Sequence, residues 1–257
     1  MSRTCIAVDW SGARTGSGNR IWLAEAQNGH LVRLENGRSG AELVDELIRT
    51  AAITPDLVIG LDFAFSFPAW FLEAHSVSTV YELWSLVERE GESWLAVCDA
   101  PFWGRPGKLR PNETPERRYR ATELALSTRP KSVFQIGGAG SVGTGSLRGM
   151  PMLLKLHEAG FSIWPFCAAH TPLVMEIYPR LLTGAVVKSR AASRREYLAR
   201  RYPELDLSWA SIATGSEDAF DAAVSALVMS EHAAEFSELA LNAGHPSKIE
   251  GRIWHPR

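Results

Sequence analysis

Cysteine is scarce in this chain, and its spacing excludes the sites that cysteine usually builds. Only Cys5, Cys98 and Cys167 occur in 257 residues. An odd number of widely separated thiols favours neither a disulfide framework nor a Cys-x-x-Cys metal site. Because reduced thiols are typical of the cytosol, we expect a cytoplasmic protein.

Long hydrophobic runs and a strong positive charge are lacking as well. No apolar stretch reaches the ~18 residues that a transmembrane helix needs, and the N-terminus has no apolar signal-peptide core. These absences predict a soluble protein with no membrane partner. The formal net charge of −2 argues against a nucleic-acid binder that is basic throughout, but it leaves local basic patches open.

The composition that is present, 46% hydrophobic and 22% charged, is typical of globular proteins, and the length suits one large domain or two small ones. The predicted opening elements are strands at 6–8, 21–26 and 31–34, a helix at 41–52 and a strand at 57–61. The turn Asn28-Gly29 is a strong hairpin signal. The helix is the crossover that lets the fourth strand pair parallel to the first.

Two of these strands end in an aspartate. Asp9 follows the first strand and precedes the glycine-containing segment 12–18, and Asp62 follows the fourth strand. A lone aspartate at a strand end is equally well explained as the cap of the next turn, but the recurrence favours a site. If the two strands are neighbours, the two carboxylates meet and repel unless a divalent cation or a proton lies between them.

Three further acidic residues are candidates for the same site. Asp218 and Asp221 lie three residues apart on one face of a predicted helix that follows the cap residue Ser216. Acids in the first helical turn are also explained by the helix dipole, yet Asp221 lies deeper than capping requires. Glu176 lies in a predicted strand at 173–179 and points either into solvent or to the edge where the two aspartates lie.

Basic residues and glycines suggest where a substrate phosphate binds. The basic cluster between Lys108 and Arg120 is interpreted as the start of a solvated helix. The stretch from Lys188 to Arg201 is the better candidate for a phosphate backbone; the predicted substrate contacts are Ser11, Arg190, Arg194 and Arg195.

The glycine-rich run 137–149 follows a predicted strand at 132–136 and precedes a helix at 150–159 and a strand at 161–166. Gly138, Gly140 and Gly143 match the dinucleotide spacing G-x-G-x-x-G. The run has further glycines where the helix of that motif should begin, and no acidic residue ends the following strand. We interpret it as a flexible loop near the site, able to contact a phosphate.

The predicted order of elements is that of the ribonuclease H-like fold. Four segments carry a more specific resemblance: Val8-Asp9-Trp10-Ser11-Gly12, Gly60-Leu61-Asp62-Phe63, Glu176-Ile177-Tyr178-Pro179 and Glu217-Asp218-Ala219-Phe220-Asp221-Ala222. In these segments the chain resembles the predicted ribonuclease H-like nucleases of domain of unknown function 429. The resemblance implies one α/β domain over 1–257, in which a mixed sheet of three antiparallel and then parallel strands carries flanking helices and a helical and loop insertion at about 67–150.

The resemblance also implies a site and an activity. The predicted catalytic residues are Asp9, Asp62, Asp221, Asp218 and Glu176, and the four aspartates are the predicted ligands of Mg²⁺ or Mn²⁺. The pair on the last helix is similar to the paired aspartates of Holliday-junction resolvases. The implied reaction is metal-dependent hydrolysis of phosphodiester bonds in DNA or RNA.

Two other functions fit the same residues. Actin-like and sugar-kinase-like phosphotransferases also begin with a strand, an aspartate and a glycine turn, and in them residues 11–18 and 137–149 would cradle a nucleotide. They usually need two such domains and a longer chain. In a non-catalytic binding module the acids would serve only as caps.

Overall fold

The Asn28-Gly29 turn joins two antiparallel strands, as predicted, and this hairpin begins a sheet of seven strands in the described residues. The computed structural model describes residues 3–138, 140–239 and 247–256. The strands are β1 (Thr4–Asp9), β2 (Trp22–Gln27), β3 (His30–Glu35), β4 (Leu57–Leu61), β5 (Ser162–Ile163), β6 (Leu173–Ile177) and β7 (Ile253–Trp254).

The sheet is mixed, with an antiparallel half and a parallel half. Its order is β3-β2-β1-β4-β6-β5, and β7 also pairs with β6. Pairing is antiparallel between β1 and β2 and between β2 and β3. It is parallel from β1 to β4, from β4 to β6, and from β6 to both β5 and β7. The predicted α/β class, with antiparallel strands followed by parallel ones, is therefore confirmed.

Helices cover both faces of this sheet. They are α1 (Gly40–Ile53), α2 (Ala69–Ala74), α3 (Val80–Val97), α4 (Pro115–Arg118), α5 (Ala121–Leu124), α6 (Gly143–Glu158), α7 (Pro179–Thr183), α8 (Ala191–Arg201), α9 (Leu207–Gly215), α10 (Glu217–Glu231) and α11 (Ser247–Glu250). No helix in the described ranges has both the length and the apolar character needed to cross a bilayer.

Strand β1 shows why the first apolar run has no polar face. Ile6 and Val8 pack into the core on one face with residues of α1, α3 and α6, while Cys5 and Ala7 pack into the core on the other face with residues of α10. Successive side chains of a strand point to opposite faces. A strand that is covered on both faces is therefore apolar throughout.

Helix α10 packs closely on the sheet because small residues line the contact. Its alanines Ala222, Ala223 and Ala226 are buried. On the sheet side, a Cβ at Gly60 would lie 2.7 Å from Sδ of Met229. Ser216 caps the helix, since its hydroxyl accepts a hydrogen bond from the amide of Ala219 at 3.0 Å. The close approach brings the first turn of α10 to the ends of the strands.

The structure corrects three predicted elements. Residues 132–136 form a turn and not a strand. Gln135 in this turn makes an isolated parallel β-bridge with Trp103. Val133 and Phe134 are buried there, and they belong to the hydrophobic core on the α1, α3 and α6 side of the sheet. Residues 161–166 contribute only the two-residue strand β5.

The third correction concerns the glycine-rich run, of which position 139 lies outside the described residues. Helix α6 begins at Gly143, seven residues before the predicted start at 150. Glycine is tolerated inside this helix because neighbours approach closely: a Cβ at Gly149 would lie 2.6 Å from the ring of Phe63. The G-x-G-x-x-G spacing thus follows a turn and not a strand, which removes the structural context of a dinucleotide site.

The segment predicted as an insertion, 67–150, supplies α2 to α5 and the first half of α6, and in its described part it adds no strand to the sheet. Its apolar residues form a cluster of aromatic rings. Phe67 stacks on Phe134 with ring centroids 5.3 Å apart, and Phe71 contacts Phe102 and Trp94 edge to face. This cluster continues into the core between α3, α6 and the sheet.

Candidate carboxylate site

Asp9 and Asp62 lie at the same edge of the sheet. Asp9 is the last residue of β1, Asp62 directly follows β4, and these parallel strands are neighbours with Val8 opposite Leu61. The amide of Asp62 donates to the carbonyl of Val8 at 3.1 Å. The predicted side-by-side arrangement of the two strands is confirmed.

The charge environment of these two carboxylates is mainly acidic. Within the described residues, no lysine or arginine forms an ion pair with Asp9 or Asp62. Burial, together with the charges of Asp62 and Asp221, raises the pKa of Asp9 well above its ordinary value. Burial also raises the pKa of Asp62 to about 8; the charge of Asp221 adds to this shift and that of Lys188 opposes it. Two strand-end acids therefore repel each other in a site that disfavours their charged forms.

The N-terminal end of α10 brings two more acids to this edge, Asp218 in the first turn and Asp221 just after it. Asp221 is only 7% exposed, and its Oδ2 accepts a hydrogen bond from Nζ of Lys188. Its Oδ1 is buried and has no hydrogen-bond partner in the described part of the chain. Burial raises the pKa of Asp221 to about 6, against the lowering effect of Lys188. Asp218 is partly exposed, and burial followed by the charge of Glu217 raises its pKa.

The four aspartates interact as charges but do not form a ready-made metal cage. Asp62, Asp221 and Asp218 each raise the pKa of Asp9. No group of three His, Cys, Asp or Glu side chains in the described ranges is arranged so that it could hold one ion. The chemistry of the donor set nevertheless fits Mg²⁺ or Mn²⁺, which prefer carboxylate oxygen. The unpartnered Oδ1 of Asp221 is a buried acceptor that still needs a donor or a cation.

A cavity of about 480 Å³ opens over Asp62. One wall is the turn after β1, where Ser11 Oγ accepts from the amide of Ala13 at 3.2 Å. The lining also includes Thr144 and Gly145 at the start of α6. A Cβ at Gly12 would lie 2.5 Å from the amide nitrogen of Gly145, so the turn and the helix start are in close contact. The glycine-rich segment thus lines the cavity of the candidate site.

Glu176 also lines this cavity, but its carboxylate is bound by an arginine. The alternative that it points into solvent is wrong, because it is 3% exposed. Nη1 of Arg120 lies 2.7 Å from its Oε2 and Nη2 lies 2.5 Å from its Oε1. The amide of Phe65 donates to Oε2 at 3.1 Å. With both oxygens engaged, Glu176 differs from the unpaired Asp9 and Asp62.

Arg120 is a residue of the site that the sequence did not reveal. It was assigned to a solvated basic cluster, and this was wrong: its side chain is 0% exposed. The guanidinium bridges Glu176 and Glu123, with Nη2 2.9 Å from Oε1 of Glu123. Nη1 also donates to the carbonyl of Glu250 at 3.1 Å. Arg120 therefore ties β6 to the segment before α5 and to the C-terminal segment.

The three arginines predicted to contact substrate have different environments. Arg194 is 5% exposed and its guanidinium donates to the carbonyls of Thr214 and Lys188. This corrects the prediction for Arg194, since a buried guanidinium that binds backbone cannot also reach an external phosphate. Arg195 is exposed and lines a separate cavity beside α8 and α9. Arg190 is exposed at the start of α8.

Arg20 is a further basic residue at the site that the sequence analysis passed over. It is exposed, it lines the cavity over Asp62, and its charge lowers the pKa of Asp218. It forms no ion pair with any described residue. Its position on the loop after β1 is set by the tertiary fold, and no pattern in the sequence distinguishes it from other surface arginines.

The raised pKa values predict how stability depends on pH. An acid whose pKa in the folded protein lies above its unfolded value loses its contribution to stability as pH rises through the folded pKa. For Asp62 that interval runs from the ordinary 3.8 to about 8. We therefore expect that, in EDTA, the melting temperature of Asp62→Asn minus that of the wild type increases between pH 5 and pH 8. Thermal melts across this range measure the difference, and a constant difference would contradict the prediction.

In comparisons with protein-family models, with curated proteins and with solved structures, the chain has no significant match. The resemblance to predicted ribonuclease H-like nucleases therefore stays a prediction.

Proposed function

We propose that this protein is a divalent-metal-dependent nuclease that hydrolyses phosphodiester bonds, with Mg²⁺ or Mn²⁺ held by Asp9, Asp62 and Asp221 and with Asp218 as a further ligand. One observation carries the proposal. The carboxylates of Asp9 and Asp62 end neighbouring parallel strands, are largely buried and have no ion-pair partner in the described chain. Such a pair is stable in its charged form only with a cation between its members.

The chain's own residues have distinct roles in this proposal. When bound, the cation supplies the charge that activates water and stabilises the leaving oxygen. Asp9 and Asp62 hold it at the strand ends, and Asp218, which is partly exposed, binds it or orients the attacking water. Ser11 lines the cavity where the phosphate would lie. Glu176, bound by Arg120, positions the end of β6 and does not transfer a proton.

The finer fold assignment belongs to the same proposal. A ribonuclease H-like domain over 1–257, with an insertion at about 67–150, accounts for the order of β1 to β4 and for a final acidic helix at the strand ends. The proposal includes membership of the family that the sequence resembles. It also includes a cytoplasmic location, which is inferred from the three free thiols.

The direct test is cleavage of a panel of labelled single-stranded, double-stranded and branched DNA and RNA with Mn²⁺ or Mg²⁺. We expect at least one substrate to be cut, and EDTA to abolish cutting. ATP turnover is measured in parallel. If ATP is hydrolysed and no nucleic acid is cut, the phosphotransferase alternative replaces the nuclease proposal. If neither reaction occurs and no Mn²⁺ binds, the non-catalytic module is the better interpretation.

Arg20 provides a test of where the substrate lies. Arg20 is exposed and lines the cavity. We therefore expect Arg20→Ala to bind the nucleic-acid substrate identified by the cleavage panel about fivefold more weakly. The salt dependence of binding should fall by about one phosphate contact. Binding of Mn²⁺ should not weaken. Fluorescence anisotropy at several salt concentrations measures both effects.

Arg195→Ala is the matched control for Arg20, because Arg195 is equally exposed and lines a different cavity. The salt dependence of nucleic-acid binding by this control variant should equal that of the wild type. Equal losses in the two variants would show that the substrate does not follow the wall that contains Arg20.

A further inference from the structure

Lys188 is the one described lysine or arginine that forms an ion pair with an aspartate of the carboxylate site. It lies between α7 and α8, its side chain is 20% exposed, and its ammonium contacts Oδ2 of Asp221. Its charge also acts on Asp9 and Asp62, where it opposes their rise in pKa. A single lysine thus supplies positive charge to a cluster of four acids.

The backbone around Lys188 is held in place by two arginines. Arg194 donates to the carbonyl of Lys188 and, with Nη2 and Nε at 2.6 and 3.1 Å, to the carbonyl of Thr214. Arg180 donates to the carbonyl of Val186 at 2.9 Å. These contacts explain why a buried arginine is needed here: Arg194 fixes the segment that brings the ammonium to Asp221.

Asp221 is only half satisfied by this lysine. Its Oδ2 accepts from Nζ, whereas Oδ1 is buried, has no hydrogen-bond partner in the described part of the chain, and belongs to a residue that is 7% exposed. An ammonium is a compact single charge that contacts one oxygen here. A divalent cation carries twice the charge and is coordinated by carboxylate oxygen. Asp221 is therefore already held by one cation and suited to exchange it for another.

We propose that Lys188 is a resident counter-cation of the carboxylate site, which holds Asp221 in the metal-free protein and competes with the divalent ion for that carboxylate. This inference rests on the proposed function. It also accounts for the absence of a ready-made cage among the described residues: the ammonium holds Asp221 apart from a shared site with Asp9 and Asp62. Binding of the ion releases Lys188 from Asp221.

Lys188→Met tests the competition, because methionine is also an unbranched side chain, one atom shorter than lysine, and removes the charge. We expect this variant to bind Mn²⁺ about tenfold more tightly than the wild type at low ionic strength, the order expected when one nearby unit charge is removed. Isothermal titration calorimetry measures the affinity. We also expect the metal-free variant to melt at a lower temperature than the wild type and to recover when Mn²⁺ is added.

Two control variants separate competition from a structural defect. Lys188→Arg keeps the charge and should bind Mn²⁺ within about twofold of the wild type. Arg89→Met removes the charge of an exposed arginine of α3 that does not line the cavity over Asp62 and has no ion pair among the described residues, and it should leave the affinity unchanged. A merely structural loss at position 188 would weaken Mn²⁺ binding, which is the opposite of the expected change.

The outcomes distinguish this inference from the proposed function. If the wild type binds Mn²⁺ and Lys188→Met binds it equally or less tightly, the inference is overturned and the nuclease proposal stands. If Lys188→Met binds more tightly but neither protein cuts any nucleic acid, the inference stands and the nuclease proposal fails. If neither protein binds Mn²⁺, both are overturned.

Discussion

Asp62→Asn is expected to reduce the rate of metal-dependent cleavage by at least ~10³-fold, which corresponds to ~4 kcal/mol of activation free energy. The reason is its position. Asp62 lies next to Asp9 across two parallel strands and lines the cavity where the substrate would bind. An amide lacks the negative charge that holds a divalent ion, so Mn²⁺ binding should weaken as well as activity. Single-turnover cleavage assays and calorimetric titration with Mn²⁺ measure the two losses.

The same substitution is expected to stabilise the metal-free protein. It removes one of two neighbouring buried charges and should raise the melting temperature by about 2–6 °C, the range for ~1–2 kcal/mol in a chain of this size. Asp45→Asn is the matched control, because Asp45 is an exposed aspartate of α1 and forms no ion pair with the described residues. It should change neither activity nor stability. An Asp62→Asn protein with full activity would remove this carboxylate from the proposed mechanism.

The strand-end aspartates could be predicted because local chemistry and topology agree. The buried strands that precede Asp9 and Asp62 have no polar face, and the helix between them allows parallel pairing. The structure places the strands as neighbours. Asp221 was also a candidate for a local reason, since it lies one turn deeper than capping needs, and α10 brings it to the same edge.

The partners of the acids could not be predicted, because they are separated from them in sequence and look like surface residues. Arg120 lies 56 residues before Glu176, in a stretch with several other arginines. Lys188 lies 33 residues before Asp221 and begins a second basic stretch. The sequence around a lysine or arginine does not indicate whether its side chain will be solvated or buried beside an acid. These two are selected by the tertiary packing, in which α5 contacts α11 and α7 contacts α10.

The glycine-rich run shows a different limit. Glycine lowers helix propensity, so the sequence predicted a loop up to Met150. In the structure α6 begins at Gly143, where a Cβ would lie 2.2 Å from the carbonyl oxygen of Val133. The glycines are needed because neighbouring backbone and rings approach the helix closely, and tertiary packing outweighs the local preference. Arg194 illustrates the same point: it is buried because its guanidinium binds the carbonyls of Lys188 and Thr214, which belong to other segments.

The second large effect is expected from Arg120→Met, which should destabilise the protein by ~3–5 kcal/mol. Arg120 is the cation between two buried carboxylates, Glu176 and Glu123, with side chains 4% and 2% exposed. Removing its guanidinium leaves both charges buried without a cation, which costs far more than the lost contacts. In a chain of this size the loss corresponds to a fall in melting temperature of roughly 10 °C. Urea unfolding and thermal melts measure it.

A double variant separates uncompensated charge from lost packing. Arg120→Met with Glu176→Gln removes one of the two buried charges that Arg120→Met leaves without a cation, so it should recover part of the stability that Arg120→Met alone loses. The deficit of Arg120→Met should also shrink at acidic pH, where protonation neutralises Glu123, whose pKa is raised by burial. Arg110→Met, at an exposed arginine without an ion pair in the described chain, should have no effect. If Arg120→Met were equally harmless, the buried network would not be what joins β6 to the C-terminal segment, and the cavity wall next to Asp62 would depend on other contacts.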